Sequence, residues 1–269
     1  MMKLGIIGFP LSHSLSPVMQ QAALDAAGLE GSYRLLPTQP EFLRARVQEI
    51  RREFAGANVT LPHKEAIIPF LDELSDEARA IGAVNTIVNR AGLLVGLNTD
   101  APGFLKSLEE AKIAYKHKRV LLLGAGGAAR AIAYALKKGG AKVLVHNRTA
   151  ERAERLAEEL GVGFLSNATL SHALKTCDVL VNTTTVGMKN PAASPLEANL
   201  LPMRGAVVDI VYNPQTTRLL LEAGNAGLKT LGGLPMLVWQ GALAFELWTG
   251  HKPQVGAMYK AAQTGLKDL

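Results

Sequence analysis

A single cysteine, Cys177, stands in the 269-residue chain. No disulfide can form within it, and no histidine and cysteine spacing matches a zinc site. No metal is expected, and a reducing, cytoplasmic setting is. Aromatic residues make up 5% of the chain, and the formal charge of +6 comes from 29 Lys and Arg scattered among 23 Asp and Glu. A nucleic-acid surface needs cations gathered on one stripe with stacking aromatics between them, so that partner class is set aside in favour of an acidic small molecule. No apolar run approaches the roughly 18 residues of a membrane span, and no charged leader precedes the strand-like run Lys3 to Gly8. A soluble, untargeted protein, monomer or homodimer, is the expectation.

What the chain does contain is ordinary globular material, 48% hydrophobic and 19% charged, in a length that suits two domains. Its most organised stretch is RVLLLGAGGAARAIAYALKKGGAKVLVHNRT, Arg119 to Thr149. An apolar run, Val120 to Leu123, enters a glycine turn, a helix closes at Gly139-Gly140, and a second run, Lys142 to His146, follows. Strand, glycine turn, helix and strand in that order make one dinucleotide-binding unit. Gly124 permits the turn, Gly126 admits a pyrophosphate to the backbone, and Ala129 lets the helix pack closely. Gly124, Ala125, Gly126, Gly127 and Ala128 are therefore candidate cofactor contacts. The second strand ends in Asn147-Arg148-Thr149, with no acid to hold a ribose 2′-hydroxyl. Arg148, helped by Arg152 one turn into the next helix, suits a 2′-phosphate instead, so NADP is the predicted cofactor.

Before this unit the chain alternates strand and helix, which favours a parallel sheet. The serine-rich loop FPLSHSLSP precedes a helix, with Ser16 read as N-cap and Pro17 as its first residue. Ser12, Ser14 and Ser16 suit either turn chemistry or a polyol and carboxylate clamp. Gly56 to Lys64 (GANVTLPHK) is a short strand broken at Pro62, which places Asn58, Thr60 and Lys64 toward one end of a sheet. Lys64 opens the next helix, against the macrodipole, whereas His63 reads as a helix-start neighbour. Gly82 to Asn89 and Gly92 to Gly96 read as a hairpin turning at Arg90-Ala91. Asp100, just before Ala101-Pro102, is placed either as a helix N-cap or as a reactive carboxylate. After the glycine unit, Thr183 to Thr185 with Gly187 and Met188 close a further strand with a set suited to lining a nicotinamide pocket.

Motifs in a fixed order then resemble one family. They are SxSP at Ser14 to Pro17, NVTxPxK at Asn58 to Lys64, GAVNT at Gly82 to Thr86 and NTDxxGF at Asn98 to Phe104. GAGGAARA at Gly124 to Ala131, NRT at Asn147 to Thr149, DxxYxP at Asp209 to Pro214 and GxxMLxxQ at Gly233 to Gln240 follow. The chain is similar over nearly its whole length to the shikimate dehydrogenases, departing at Met19-Gln20, where the family often carries His-Asn.

The resemblance implies an α/β protein of two domains. An open α/β substrate domain spans 1–101 and a Rossmann NADP-binding domain 102–236, with the helices of 237–269 packing back on the first. The basic stretch Lys112 to Arg119 is read as the crossing. The implied reaction is reversible reduction of 3-dehydroshikimate to shikimate with NADPH, in aromatic amino-acid biosynthesis. Lys64 and Asp100 are the implied catalytic pair. Ser14, Ser16, Asn58, Thr60, Asn85, Tyr212 and Gln240 join them in holding substrate. Thr183, Val211, Gly233 and Met236 join Asn147, Arg148, Thr149 and Arg152 around the cofactor. Substrate is expected on the first domain and nicotinamide on the second, with closure bringing them together. An NAD-linked quinate/shikimate dehydrogenase on the same fold is the neighbouring alternative, and Arg148 speaks against its cofactor.

Overall fold

The first strand, Met2–Gly8 (β1), sends Leu4 and Ile6 into one apolar cluster and Ile7 into another. That period of two marks a strand covered on both faces. The structure, a computed structural model, describes residues 1–12 and 14–268. In it β1 is followed by Gly31–Pro37 (β2), Gly56–Val59 (β3), Glu73–Leu74 (β4), Thr86–Arg90 (β5) and Leu93–Leu97 (β6). They form one six-stranded sheet in the order β2-β1-β3-β5-β6-β4. β1 pairs in parallel with β2 and β3, while β5 runs antiparallel to both β3 and β6. The alternation of strand and helix thus produces a parallel half, and the hairpin makes the whole sheet mixed rather than parallel. That hairpin turns at Ala91-Gly92, both with positive φ, one residue later than Arg90-Ala91. A two-residue turn between twisted strands needs left-handed backbone at both positions, which glycine supplies at no steric cost. Ala244 and Trp248 of the helix Leu234–Thr249 cover one face, and Val47 and Ile50 of the helix Leu43–Glu53 cover the other.

The remaining strands are Arg119–Leu123 (β7), Lys142–His146 (β8), Gly163–Phe164 (β9), Val179–Asn182 (β10), Ala206–Asp209 (β11) and Lys229–Leu231 (β12). All are parallel, in the order β12-β11-β10-β7-β8-β9. Val120, Leu122, Val179 and Val181 enter one cluster, while Leu121, Leu123 and Leu180 enter the other. The chain starts in mid-sheet at β7, runs outward to β9, and resumes at β10 on the other flank of β7. This is the doubly wound dinucleotide-binding topology, and its order reverses between β7 and β10.

The chain forms two compact units, Met1–Gly103 with Val238–Leu269, and Phe104–Leu237. The crossings at 103/104 and 237/238 lie beside the 101/102 and 236/237 read from sequence, and they fall inside the helices Asp100–Glu110 and Leu234–Thr249. The basic stretch Lys112 to Arg119 is therefore not the crossing; it lies within the second unit, ahead of β7, because a continuous helix carries the chain over the boundary. In the first unit the helix Val255–Gly265 packs against Ser16–Ala26.

Candidate active site

In the first sheet Ile7 lies opposite Val59, Asn58 opposite Thr86, and Thr86 opposite Leu97. The carboxyl ends of β1, β3 and β6 and the amino end of β5 therefore share one edge. The segments leaving that edge carry Thr60, Asn85 and Asp100. Open α/β sheets bind ligands at such strand ends.

Lys64 sits in a helix of four residues, His63–Ala66. So short a helix has almost no dipole, and the macrodipole argument for Lys64 falls away. Its backbone is fixed instead by the Val84 N–H, which donates to the Lys64 carbonyl at 2.7 Å. The Lys64 ammonium pairs with Asp100 Oδ2, and the two side chains are 17% and 5% exposed. His63 is buried, with Nε2 2.7 Å from the Thr38 carbonyl, so it belongs to the core.

Asp100 is the first residue of its helix and not the N-cap. Asn98 does the capping, its Oδ1 accepting from the Ala101 N–H at 3.2 Å. The Asp100 carboxylate is thus left to Lys64 on one oxygen and, on the other, to Asn85 Nδ2 at 2.9 Å. Asn85 is buried, and its Oδ1 accepts from the Thr99 N–H at 2.7 Å, which fixes the orientation of the amide. Gln240 Oε1 lies 3.3 Å from Asn85 Nδ2. The helix bearing Gln240 comes so close that a Cβ on Gly103 would stand 2.7 Å from the Gln240 backbone nitrogen. Only a residue without a side chain fits at 103.

The helix after the serine loop is Ser16–Ala26 with Leu15 as N-cap, so Ser16 is not the cap. Ser14 Oγ accepts from the Ser16 N–H at 3.3 Å, and the Ser16 hydroxyl stands beside the buried Tyr33 phenol. Tyr33 in turn donates to Asn58 Oδ1 at 2.7 Å. Thr60, at the end of β3, is half-buried, its N–H bonded to the Ile7 carbonyl at 2.8 Å. The structure thus gathers Ser14, Ser16, Asn58, Thr60, Lys64, Asn85, Asp100 and Gln240 in the first unit. Tyr212 belongs to the second, after β11, where burial raises its phenol above the ordinary tyrosine range.

In the second unit Gly124 has a φ of +116°, and a Cβ there would meet Thr183 Oγ1 at 2.5 Å. Thr183 Oγ1 donates to the Leu123 carbonyl at 2.7 Å, so the glycine turn and the end of β10 are locked together at the point where strand order reverses. Gly126 caps the helix Gly127–Lys138, and the space its Cβ would fill is open. Ala125 packs on the core beside it, and Ala128 lies in the first turn. Open space over the amino end of a helix, beside a glycine turn, fits a pyrophosphate. Next to this turn the Gly124 N–H donates to His146 O at 2.8 Å, which brings Asn147, Arg148 and Thr149 alongside. Asn147 Nδ2 donates to the Thr149 carbonyl at 2.9 Å, and Arg148, Thr149 and Arg152 are exposed. Val211 follows β11, and its carbonyl accepts from the Gly233 N–H at 3.1 Å. Met236 is buried in the core of this unit. Among the described residues no group of three or more His, Cys, Asp or Glu side chains is placed to hold a metal ion, and no helix is long and apolar enough to cross a membrane.

Three family models match in sequence order: a shikimate dehydrogenase substrate binding domain over residues 6–87, a shikimate / quinate 5-dehydrogenase over 107–210, and a shikimate 5'-dehydrogenase C-terminal domain over 233–263. The chain belongs to the shikimate dehydrogenase family. It is 51% identical to a shikimate dehydrogenase (NADP(+)) of Thermus thermophilus, with 99% of each chain covered. It is similar to the crystal structure of a Thermus thermophilus shikimate 5-dehydrogenase in complex with NADP(H) and shikimate, with a TM-score of 0.93 at 50% identity over 98% of this chain and 100% of that one. A quinate dehydrogenase of Corynebacterium glutamicum in complex with NAD gives a TM-score of 0.88 at 33% identity, covering 98% of this chain and 99% of that one.

Sequence reading missed four residues that hold the site residues in place. Asn98, Thr86 and Thr99 lie inside the motifs and were overshadowed by their neighbours. Tyr33 lies in a strand whose pattern signals apolar core and nothing more.

Proposed function

We propose that this chain catalyses the reversible NADPH-dependent reduction of 3-dehydroshikimate to shikimate, on the route to aromatic amino acids. The observation that carries the reading is the Asn85–Asp100–Lys64 arrangement, set at the strand ends among the polar side chains of the first unit. Membership of the shikimate dehydrogenase family supplies the substrate class. Ser14, Ser16, Asn58, Thr60, Asn85 and Gln240 are the groups that hold the substrate's hydroxyls and carboxylate. Hydrogen-bonding groups suit this task, because a site built to pair with a hydroxyl rejects analogues lacking it by large factors.

NADPH, when bound, supplies the hydride. Reduction of a ketone builds negative charge on its oxygen. The Lys64 ammonium neutralises that charge and delivers a proton to the oxygen; in the oxidative direction Lys64 takes the proton back. Asp100 orients the ammonium, and Asn85 orients Asp100. Partial burial of the pair keeps water from diluting the interaction.

Gly124 to Ala128 hold the pyrophosphate, and Thr183, Val211, Gly233 and Met236 line the nicotinamide end. Asn147, Arg148, Thr149 and Arg152 hold the adenosine 2′-phosphate, for which the exposed Arg148 offers a planar, permanently charged partner. The setting is cytoplasmic. Cys177, buried and with its thiol pushed up to about 12 by burial, is a core side chain with no part in the chemistry.

Replacing Lys64 tests the assignment. Lys64→Ala lowers kcat by roughly 10²-fold or more while NADP affinity stays near that of the parent protein. Parental turnover in that variant would remove Lys64 from the mechanism.

A further inference from the structure

We propose that Tyr33 is a positioning residue for substrate recognition, its hydroxyl holding Asn58 in register with the Lys64–Asp100 pair. The inference rests on the functional reading above and adds a residue that touches none of the reacting atoms.

Tyr33 is buried in β2, its ring packed among Leu4, Ile6, Leu11 and Trp248. The Trp248 ring centroid lies 6.1 Å away at a tilt of 49°. A phenol sunk in apolar surroundings must pair its hydroxyl or lose the hydrogen bond it had in water. This hydroxyl is paired with a functional group on another element. It donates to Asn58 Oδ1 at 2.7 Å, at the end of β3, and Ser16 at the start of a helix stands beside it. Burial holds the phenol well above the ordinary tyrosine range, so it carries its proton at any working pH.

Consequences run onward from Asn58, whose two amide hydrogens are both engaged. Asn58 Nδ2 donates to the Asn85 carbonyl and to Thr86 Oγ1, each at 3.2 Å. Thr86 Oγ1 donates to Asn85 Oδ1 at 3.0 Å, and Asn85 Nδ2 donates to Asp100. Tyr33 occupies one lone pair of Asn58 Oδ1 and leaves the other for substrate. A hydroxyl in the apolar core thereby fixes the orientation of one recognition group and, through Asn85, supports the carboxylate that holds Lys64. Networks of this kind act as a unit when every member is satisfied.

The test is Tyr33→Phe, which deletes one oxygen and keeps the ring. It lowers kcat/KM for shikimate by about tenfold, the loss lying mainly in KM, with the Kd for NADP unchanged. Because Tyr33 acts through Asn58, adding Tyr33→Phe to Asn58→Ala changes kcat/KM by less than about twofold. Trp248→Phe separates packing from positioning: it disturbs the ring contact, leaves the hydroxyl bond, lowers Tm and leaves the KM for shikimate alone. Unchanged shikimate kinetics in Tyr33→Phe, additive losses in the double variant, or an equal rise in KM in Trp248→Phe would each overturn the role. Parent protein inactive with shikimate and NADP would overturn the functional reading and this inference with it; an active parent with an unaffected Tyr33→Phe would overturn the inference alone.

Discussion

The amide of Asn85 grips one oxygen of Asp100 at 2.9 Å and leaves the other to the Lys64 ammonium. This division of labour decides what each residue does. Asp100 begins a helix, where a carboxylate is favoured by the dipole. Its capping duty is taken by Asn98, so both of its oxygens serve the site. Asn85 is held by Thr99 and Thr86 and cannot turn its amide without losing those bonds. On the proposed reading the pair stands ready before substrate arrives, which is where a positioned proton donor gains over one that must be assembled.

Asp100→Asn separates these roles. The variant keeps a side chain of the same shape and loses the charge that orients Lys64. Turnover falls by roughly 10²-fold, with Tm within a few degrees of the parent protein, because Asn98 still caps the helix. Kinetics and a thermal melt on the same preparation check it; a large drop in Tm with near-normal turnover would return Asp100 to a structural role.

Much of this was legible in the sequence, and the misses have physical causes. The glycine unit from β7 to β8 was readable because the apolar run, the turn and the helix all obey local rules. The order of the remaining strands depends on long-range pairing, and the short edge strand Glu73–Leu74 carried no pattern of its own. Capping was misplaced at Ser16, where the N-cap position falls on Leu15 and no side chain caps, and it was left open at Asp100, where Asn98 accepts the bond instead. Tyr33 was invisible because nothing in a strand pattern says where a buried hydroxyl points. The crossings at 103/104 and 237/238 lie within two residues of the divisions read from sequence, whereas Lys112 to Arg119 was mistaken for the linker because charge density says nothing of a continuous helix carrying the chain across.

The proposed cofactor choice rests on Arg148. Arg148→Ala removes a planar cation from the exposed end of β8 and raises the KM for NADP by at least about tenfold, leaving the KM for NAD nearly unchanged. Steady-state kinetics with both cofactors measure the ratio. An equal effect on NADP and NAD would mean that Arg148 does not read the 2′-phosphate.

Acid stability has a local handle at Asp72. The Arg51 guanidinium hydrogen-bonded to it and the Leu94 N–H hold its carboxyl below the ordinary value of 3.8. A lowered folded pKa means that the stabilisation is present above the unfolded value and is lost as pH falls through the folded one. Asp72→Asn therefore melts below the parent protein at neutral pH, and the two Tm curves draw together as pH falls below the ordinary carboxyl value of 3.8. Parallel curves across that range would contradict the assignment.

The central claim is tested most directly by following reduced-nicotinamide absorbance with purified protein, NADP or NAD, and shikimate or quinate. The account predicts that absorbance rises with shikimate and NADP, far faster than with quinate or with NAD in place of NADP. Absence of turnover with shikimate and NADP, or equal or better turnover with quinate and NAD, would contradict it.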